Sequence, residues 1–235
     1  MAQKNRLRIN REKESPIINV SSSKMEQEVM VALSQTVEHI RNKFGVLLHH
    51  KSNLYLKDVV AELKKLYKDV GFFYLFDSSS MRPDGGILCL VSKDKKECFP
   101  ILITEVKNQG ANDLRQKEGK PKQAKRNAIE RLGKNVIGFR AALLPEAIFP
   151  FVCFGDGCDF APDSSILDRV ITIAMFGDLN KTRVHNEGLN GIFNRGSFYF
   201  RQEKWTIKEM KTIMTDIAEK SVYYYFSKYG EAYFK

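Results

Sequence analysis

RPDGGILCLVSKDKKECFPILITEVKNQG, Arg82 to Gly110, contains two apolar runs, GGILCLV and CFPILITEV, separated by the charged stretch SKDKKE. Two short apolar runs around a polar turn predict a β-hairpin in the core of a sheet. Asp84 stands just before the first run, and Glu105 and Lys107 close the second. Side chains alternate along a strand, so Glu105 and Lys107 project from one face. Antiparallel pairing then sets the start of the first strand, and Asp84 with it, beside the end of the second.

Two carboxylates at one end of a sheet raise each other's pKa unless a cation joins them. Mg²⁺ suits such a pair, because it needs only one or two protein carboxylates and keeps several waters. This makes Asp84 and Glu105 the candidate metal ligands, with Mn²⁺ as a substitute ion. Lys107 is then placed to hold or help deprotonate an attacking water, or to stabilise charge on a phosphoryl oxygen. The chemistry expected of the three residues is phosphodiester hydrolysis. Taken singly, each has a plain reading: E-x-K decorates many exposed strands, and P-D-G is a common turn. It is their placement at the ends of paired apolar runs that gives the pattern meaning.

Outward from the hairpin, SSKME opens a helix over 24–44, with a capping box at Ser23–Glu26 and a stripe of Met30, Leu33, Val37, Ile40 and Phe44. A second helix is expected over about 55–69, a strand at GFFYLF (71–76), and a buried strand in IFPFVCF (148–154). SFYF reads as an edge strand, and Thr206–Glu209 as a capping box that starts a helix running to about 226 with Ile207, Met210, Met214 and Ile217 on its apolar side. Between these lies a helix from Asn127 with Ile129, Leu132, Val136 and Phe139 on one face. Residues 108–126 carry almost no large apolar side chain and read as a loop or an exposed extension. The fold class is α/β, a single domain over 23–235 with a mixed central sheet flanked by helices.

The 235 residues carry a net charge of +10, which favours an anionic partner, nucleic acid before a membrane surface. No run approaches the roughly 20 apolar residues of a membrane span, and the N-terminus lacks the apolar centre of a secretory signal. Four cysteines, Cys89, Cys98, Cys153 and Cys158, are read as buried thiols of a protein kept in a reducing cytoplasm. Residues 1–22 form a basic arm, either a solvated flexible tail or a segment that orders against a polyanion. Between 107 and 140, ten Lys and Arg stand against three Asp and Glu, a concentration of positive charge directly after the E-x-K. Such a segment suits phosphate neutralisation. Within it, RNAIERLGKN offers Asn127 for a bidentate pair with adenine and Arg131 for a purine edge. The plainer alternative makes Asn127 an N-cap and Glu130–Lys134 a solvated pair.

SSSMRPDGGI, TEVKNQG and NAIER, in that order and at similar spacings, resemble the EcoRI-type type II restriction endonucleases of the PD-(D/E)xK superfamily, with FPFVCF and GDGCDF similar to the strand that follows. The resemblance is good over about 78–160, weaker from there to the C-terminus and essentially absent before residue 70. It implies a Mg²⁺-dependent homodimer that cuts both strands of double-stranded DNA at a palindrome containing AATT, as in GAATTC, leaving staggered ends. It implies a catalytic set of Asp84, Glu105 and Lys107. Base readers would be Asn127, Ala128 and Arg131, with Glu130, Lys125 and Arg126 in DNA recognition or in coupling the subunits, and the 108–126 extension would lie against DNA. It also implies a prokaryotic cytoplasm and a cognate DNA methyltransferase that spares the host genome. Two departures bear on the outer base pair: Arg126 stands where the family has glycine, and GDLNKTRVHNEG offers only Lys181 and Arg183 where the family is arginine-rich. The alternatives are another PD-(D/E)xK nuclease, for repair or junction resolution, and a non-catalytic sequence-specific DNA-binding protein.

Overall fold

The structure, a computed structural model, describes residues 24–108, 110–121 and 126–235, without the side chains of residues 110, 111, 114, 126–128, 189 and 190. The basic arm, Ser23, Lys125 and the side chains of Arg126, Asn127 and Ala128 therefore lie outside the described residues. Helix α1 covers residues 24–44. Then come β1 (Leu48–Lys51), β2 (Leu54–Tyr55), α2 (Leu56–Leu66), β3 (Ser80–Met81), β4 (Gly86–Val91) and β5 (Cys98–Asn108). The second half adds α3 (Gly110–Lys117), α4 (Arg126–Ala142), β6 (Phe151–Asp156), α5 (Ser165–Ile173), α6 (Gly188–Ile192), β7 (Ser197–Arg201) and α7 (Ile207–Tyr229).

Five strands form one mixed sheet in the order β1-β4-β5-β6-β7, and β2 and β3 form a small ribbon. β4 and β5 are the expected antiparallel hairpin, with Gly86 opposite Thr104 and Val91 opposite Cys98. Its register slips between Leu88 and Cys89, where Cys89 faces Pro100. A proline has no N–H to donate, so a bulge there costs the ladder little. β6 and β7 continue the sheet in parallel, Glu105 facing Cys153 and Lys107 facing Gly155.

Helices cover both faces. On one, α1 and α7 pack against Leu88, Leu90, Leu102, Val152 and Phe154. On the other, α2, α4 and α5 pack against Ile87, Ile103, Phe151, Phe198 and Phe200. Strand alternation puts Glu105 and Lys107 on this second face, the side of α4. The apolar face expected of α4 is present: Ile129, Leu132, Val136 and Phe139 are all buried. α7 opens on the expected capping box, Thr206 accepting from Glu209 N–H while the Glu209 side chain returns to the Thr206 backbone. At α1 the expected stripe holds at Leu33, Val37, Ile40 and Phe44, but Met30 is 42% exposed and the stripe continues instead through Val29 and Met25.

Two expected elements differ. GFFYLF is not a strand: Phe73, Leu75 and Phe76 are 76%, 78% and 68% exposed, and Phe72 alone of the run packs on the core. The strand beside β4 is β1, whose Leu48 to Lys51 pair with Leu90 to Ile87. Residues 110–117, expected to be a loop or an exposed extension, form α3, and two polar side chains tie it down. Asn112 donates to Asp159 at 2.6 Å, and Asp113 accepts the backbone N–H of Cys158 at 2.6 Å.

The outer edge of β7 is closed by the preceding loop. Asn180 N–H donates to the carbonyl of Phe198 at 2.8 Å, and its side-chain amide donates to Phe200 O at 3.1 Å and accepts from Phe200 N–H at 2.9 Å.

Candidate active site

The P-D-G-G segment is a tight turn, with Gly86 N–H donating to Pro83 O at 3.0 Å. Gly86 has φ +75, a left-handed backbone that glycine adopts without strain, and a Cβ there would meet the His50 ring and the Lys51 carbonyl. Gly85 N–H donates to Thr104 O at 2.9 Å, so the turn is laid directly on β5. His50 Nε2 lies 2.9 Å from Gly85 O, which can only accept, and pins the turn from the β1 side.

This brings the three predicted residues together. Val106 N–H donates to Asp84 Oδ2 at 3.1 Å, and Asp84 N–H donates to Glu105 Oε2 at 3.3 Å. The Lys107 ammonium lies between the carboxylates, 3.3 Å from Asp84 Oδ2 and in close contact with Glu105 Oε1. It also donates to Val106 O at 2.9 Å. Glu105 is almost fully buried (side chain 3% exposed) and Lys107 nearly so (12%), whereas Asp84 is 31% open to solvent. Burial pushes the Glu105 carboxyl up, and Asp84 adds to the rise while Lys107 opposes it. For Lys107, burial works against the charge, but Glu105 and Asp84 more than offset it and hold the ammonium above its ordinary value. Lys107 is thus a cation in a carboxylate cradle.

Three oxygens, Asp84 Oδ2, Glu105 Oε1 and Val106 O, converge on the Lys107 nitrogen. Oxygen donors with two carboxylates among them fit a hard divalent cation that retains waters. Asp84 is the solvent-open member of the cluster.

The other predicted residues divide. Glu130 and Arg131 are exposed on α4, the helix that lies over the face carrying Glu105. Lys181 and Arg183 are not drawn to the cluster. They lie on the segment flanking β7, two strands from β5, where Lys181 pairs with Asp178 at 2.6 Å and Arg183 approaches the same carboxylate at 3.8 Å. Two contributors escaped the sequence reading. Val106 O belongs to an apolar residue, and nothing in its side chain marks its carbonyl. Asn135 of α4 donates from Nδ2 to Glu105 Oε1 at 3.2 Å. The signal for Asn135 was available: it lies four residues after Arg131 and eight after Asn127, on one stripe of the helix.

The EcoRI restriction endonuclease family matches residues 12–232. Over 207 residues the chain is 30% identical to the type II restriction enzyme RsrI of Cereibacter sphaeroides, covering 73% of this chain and 74% of the relative. Over 208 residues it is 28% identical to the type II restriction enzyme EcoRI of Escherichia coli, covering 74% and 75%. With the family matched over nearly the whole chain, and the hairpin, sheet and helices arranged around one acidic centre, this protein belongs to the EcoRI restriction endonuclease family.

Proposed function

We propose that the chain, a site-specific deoxyribonuclease by family, acts as a homodimer on double-stranded DNA and cleaves a short palindrome containing AATT, GAATTC-like, leaving staggered ends. The observation that carries this reading is the convergence of Asp84, Glu105 and the Val106 carbonyl on the Lys107 ammonium. Asp84 and Glu105 would hold Mg²⁺, with Mn²⁺ as a substitute, and the bound ion would acidify a water and draw charge from a phosphoryl oxygen. The protein's own part is positional and electrostatic. Asp84 is fixed by the backbone N–H of Val106 and keeps about a third of its side chain open to solvent. Lys107, kept charged by its neighbours, donates to the attacking water or to a non-bridging oxygen as negative charge builds there. Water attacks phosphorus and gives up a proton to solvent, the bond to the leaving oxygen breaks, and that oxygen takes up a proton from solvent.

Site choice is assigned to the start of α4. Asn127, Ala128 and Arg131 would read the inner A·T pairs, and Glu130, Lys125 and Arg126 would contribute to recognition or to coupling the subunits. A cognate DNA methyltransferase would protect the host's own sites. The deciding experiment is digestion of supercoiled plasmid with Mg²⁺, followed by sequencing of the fragment ends. Discrete fragments whose staggered ends carry AATT are expected. Nicking that follows DNA structure instead of sequence would favour a repair or junction nuclease, and tight binding without any cutting would favour a DNA-binding protein. Lys107→Ala should lose at least about 10²-fold in cleavage rate while keeping its binding to the same site.

A further inference from the structure

We propose that Asn135 is a positioning residue for Glu105, and that through it α4 joins base reading and phosphodiester chemistry in one rigid body. This rests on the nuclease reading above. Each oxygen of the buried Glu105 carboxylate is held. Oε2 accepts from the backbone of Asp84 at 3.3 Å, and Oε1 accepts from Lys107 and from Asn135 at 3.2 Å. Among these donors, Asn135 alone belongs to a helix; the others come from the P-D-G-G turn and from β5 itself. A second contact locks the same helix to the segment that leads into the turn carrying the other carboxylate. Gly138, one turn further along, lets Met81 so close that a Cβ at 138 would sit 2.1 Å from the Met81 sulfur. Met81 ends β3, three residues before Asp84. α4 therefore touches the Glu105 side of the centre at Asn135 and the Asp84 side at Gly138.

The rotation of α4 is not free. Ile129, Leu132, Val136 and Phe139 are buried against the sheet along its length. At a rise of about 1.5 Å per residue, Asn127 lies only about 12 Å along the axis from Asn135, on the same stripe. A shift of the helix when its first turns meet base edges must then move the amide that orients Glu105. Wrong base pairs that seat α4 differently leave Glu105 turned away from the geometry that the metal and the phosphate require. Discrimination would be exercised in the chemical step as well as in binding.

The test compares wild type with Asn135→Ala and Asn135→Ser, the serine retaining a hydroxyl donor. At saturating enzyme, Asn135→Ala should cleave the cognate site about 10- to 100-fold more slowly and need more Mg²⁺ for half-maximal rate, the size typical of partners that orient metal ligands. Duplex binding in the presence of a chelator should be unchanged, Asn135→Ser should recover part of the rate, and the preference for the cognate site over sites altered at one base pair should shrink. Mn²⁺ affinity without DNA, followed by electron paramagnetic resonance, should fall about tenfold in Asn135→Ala. Matched unfolding midpoints identify the loss as local. Wild-type rate, Mg²⁺ dependence and Mn²⁺ affinity in Asn135→Ala would overturn the proposal. If wild type itself cuts no DNA, the nuclease reading fails, and the Mn²⁺ comparison still decides the role of Asn135.

Discussion

At Gly85 an added Cβ would lie 2.8 Å from the Cβ of Thr104 and 3.0 Å from Cγ1 of Val29. Both neighbours are branched side chains in a packed core, so neither can swing aside, and the turn itself must move. Gly85→Ala should therefore cost about 1–3 kcal/mol of stability, read as a lowered denaturant midpoint. Because Asp84 is the preceding residue and is registered on Val106 N–H at 3.1 Å, the displacement should also slow cleavage. Single-turnover assays under conditions where the variant remains folded separate the two effects. At this scale the meeting of Asp84, Glu105 and Lys107 was legible in the sequence: a charged residue at either end of a pair of apolar runs has few places to go in a hairpin. The Val106 carbonyl was not legible, because backbone groups carry no residue-type signature.

Among the elements, α7 owes its start to a network that can be probed by acid. Arg201 beside Glu209, together with the backbone and hydroxyl of Thr206, holds the Glu209 carboxyl down at about 2. A carboxyl depressed in the folded state stabilises the fold above its unfolded pKa of about 4.3 and loses that effect as pH falls toward the folded value. Comparing unfolding midpoints of wild type and Glu209→Gln from pH 6 down to pH 3 should show a gap that narrows below about pH 4.3; a constant gap would contradict the assignment. Thr206→Ala removes the reciprocal half of the cap and should cost about 1 kcal/mol. The capping residues of α7 and the apolar stripe of α4 could be read in advance because both depend on spacings of three and four residues. α3 could not, since its anchors, Asn112 and Asp113, reach residues some 45 positions away in sequence. GFFYLF misled for a related reason: strand propensity is local, and the strand beside β4 is LHHK, whose two histidines conceal it.

For the whole molecule, a net charge of +10 with a basic excess around α4 makes duplex binding an ion-exchange event. If six to ten phosphates are neutralised, affinity for non-cognate duplex should fall by about 10³–10⁵ between 50 and 200 mM salt. Lys134→Ala, on the exposed side of α4, should lower the salt slope by about one without altering the cleaved sequence. A slope near zero would show that the charge does not meet the backbone. The molecule's boundary is set by a smaller feature. The Asn180 amide copies a peptide group against Phe200 and completes the ladder that β7 would otherwise offer to a stranger. Two copies of this protein thus have no vacant hydrogen-bonding rail at Phe198 and Phe200 on which to splice their sheets into a longer ribbon, and any assembly must be built from surfaces other than that rim.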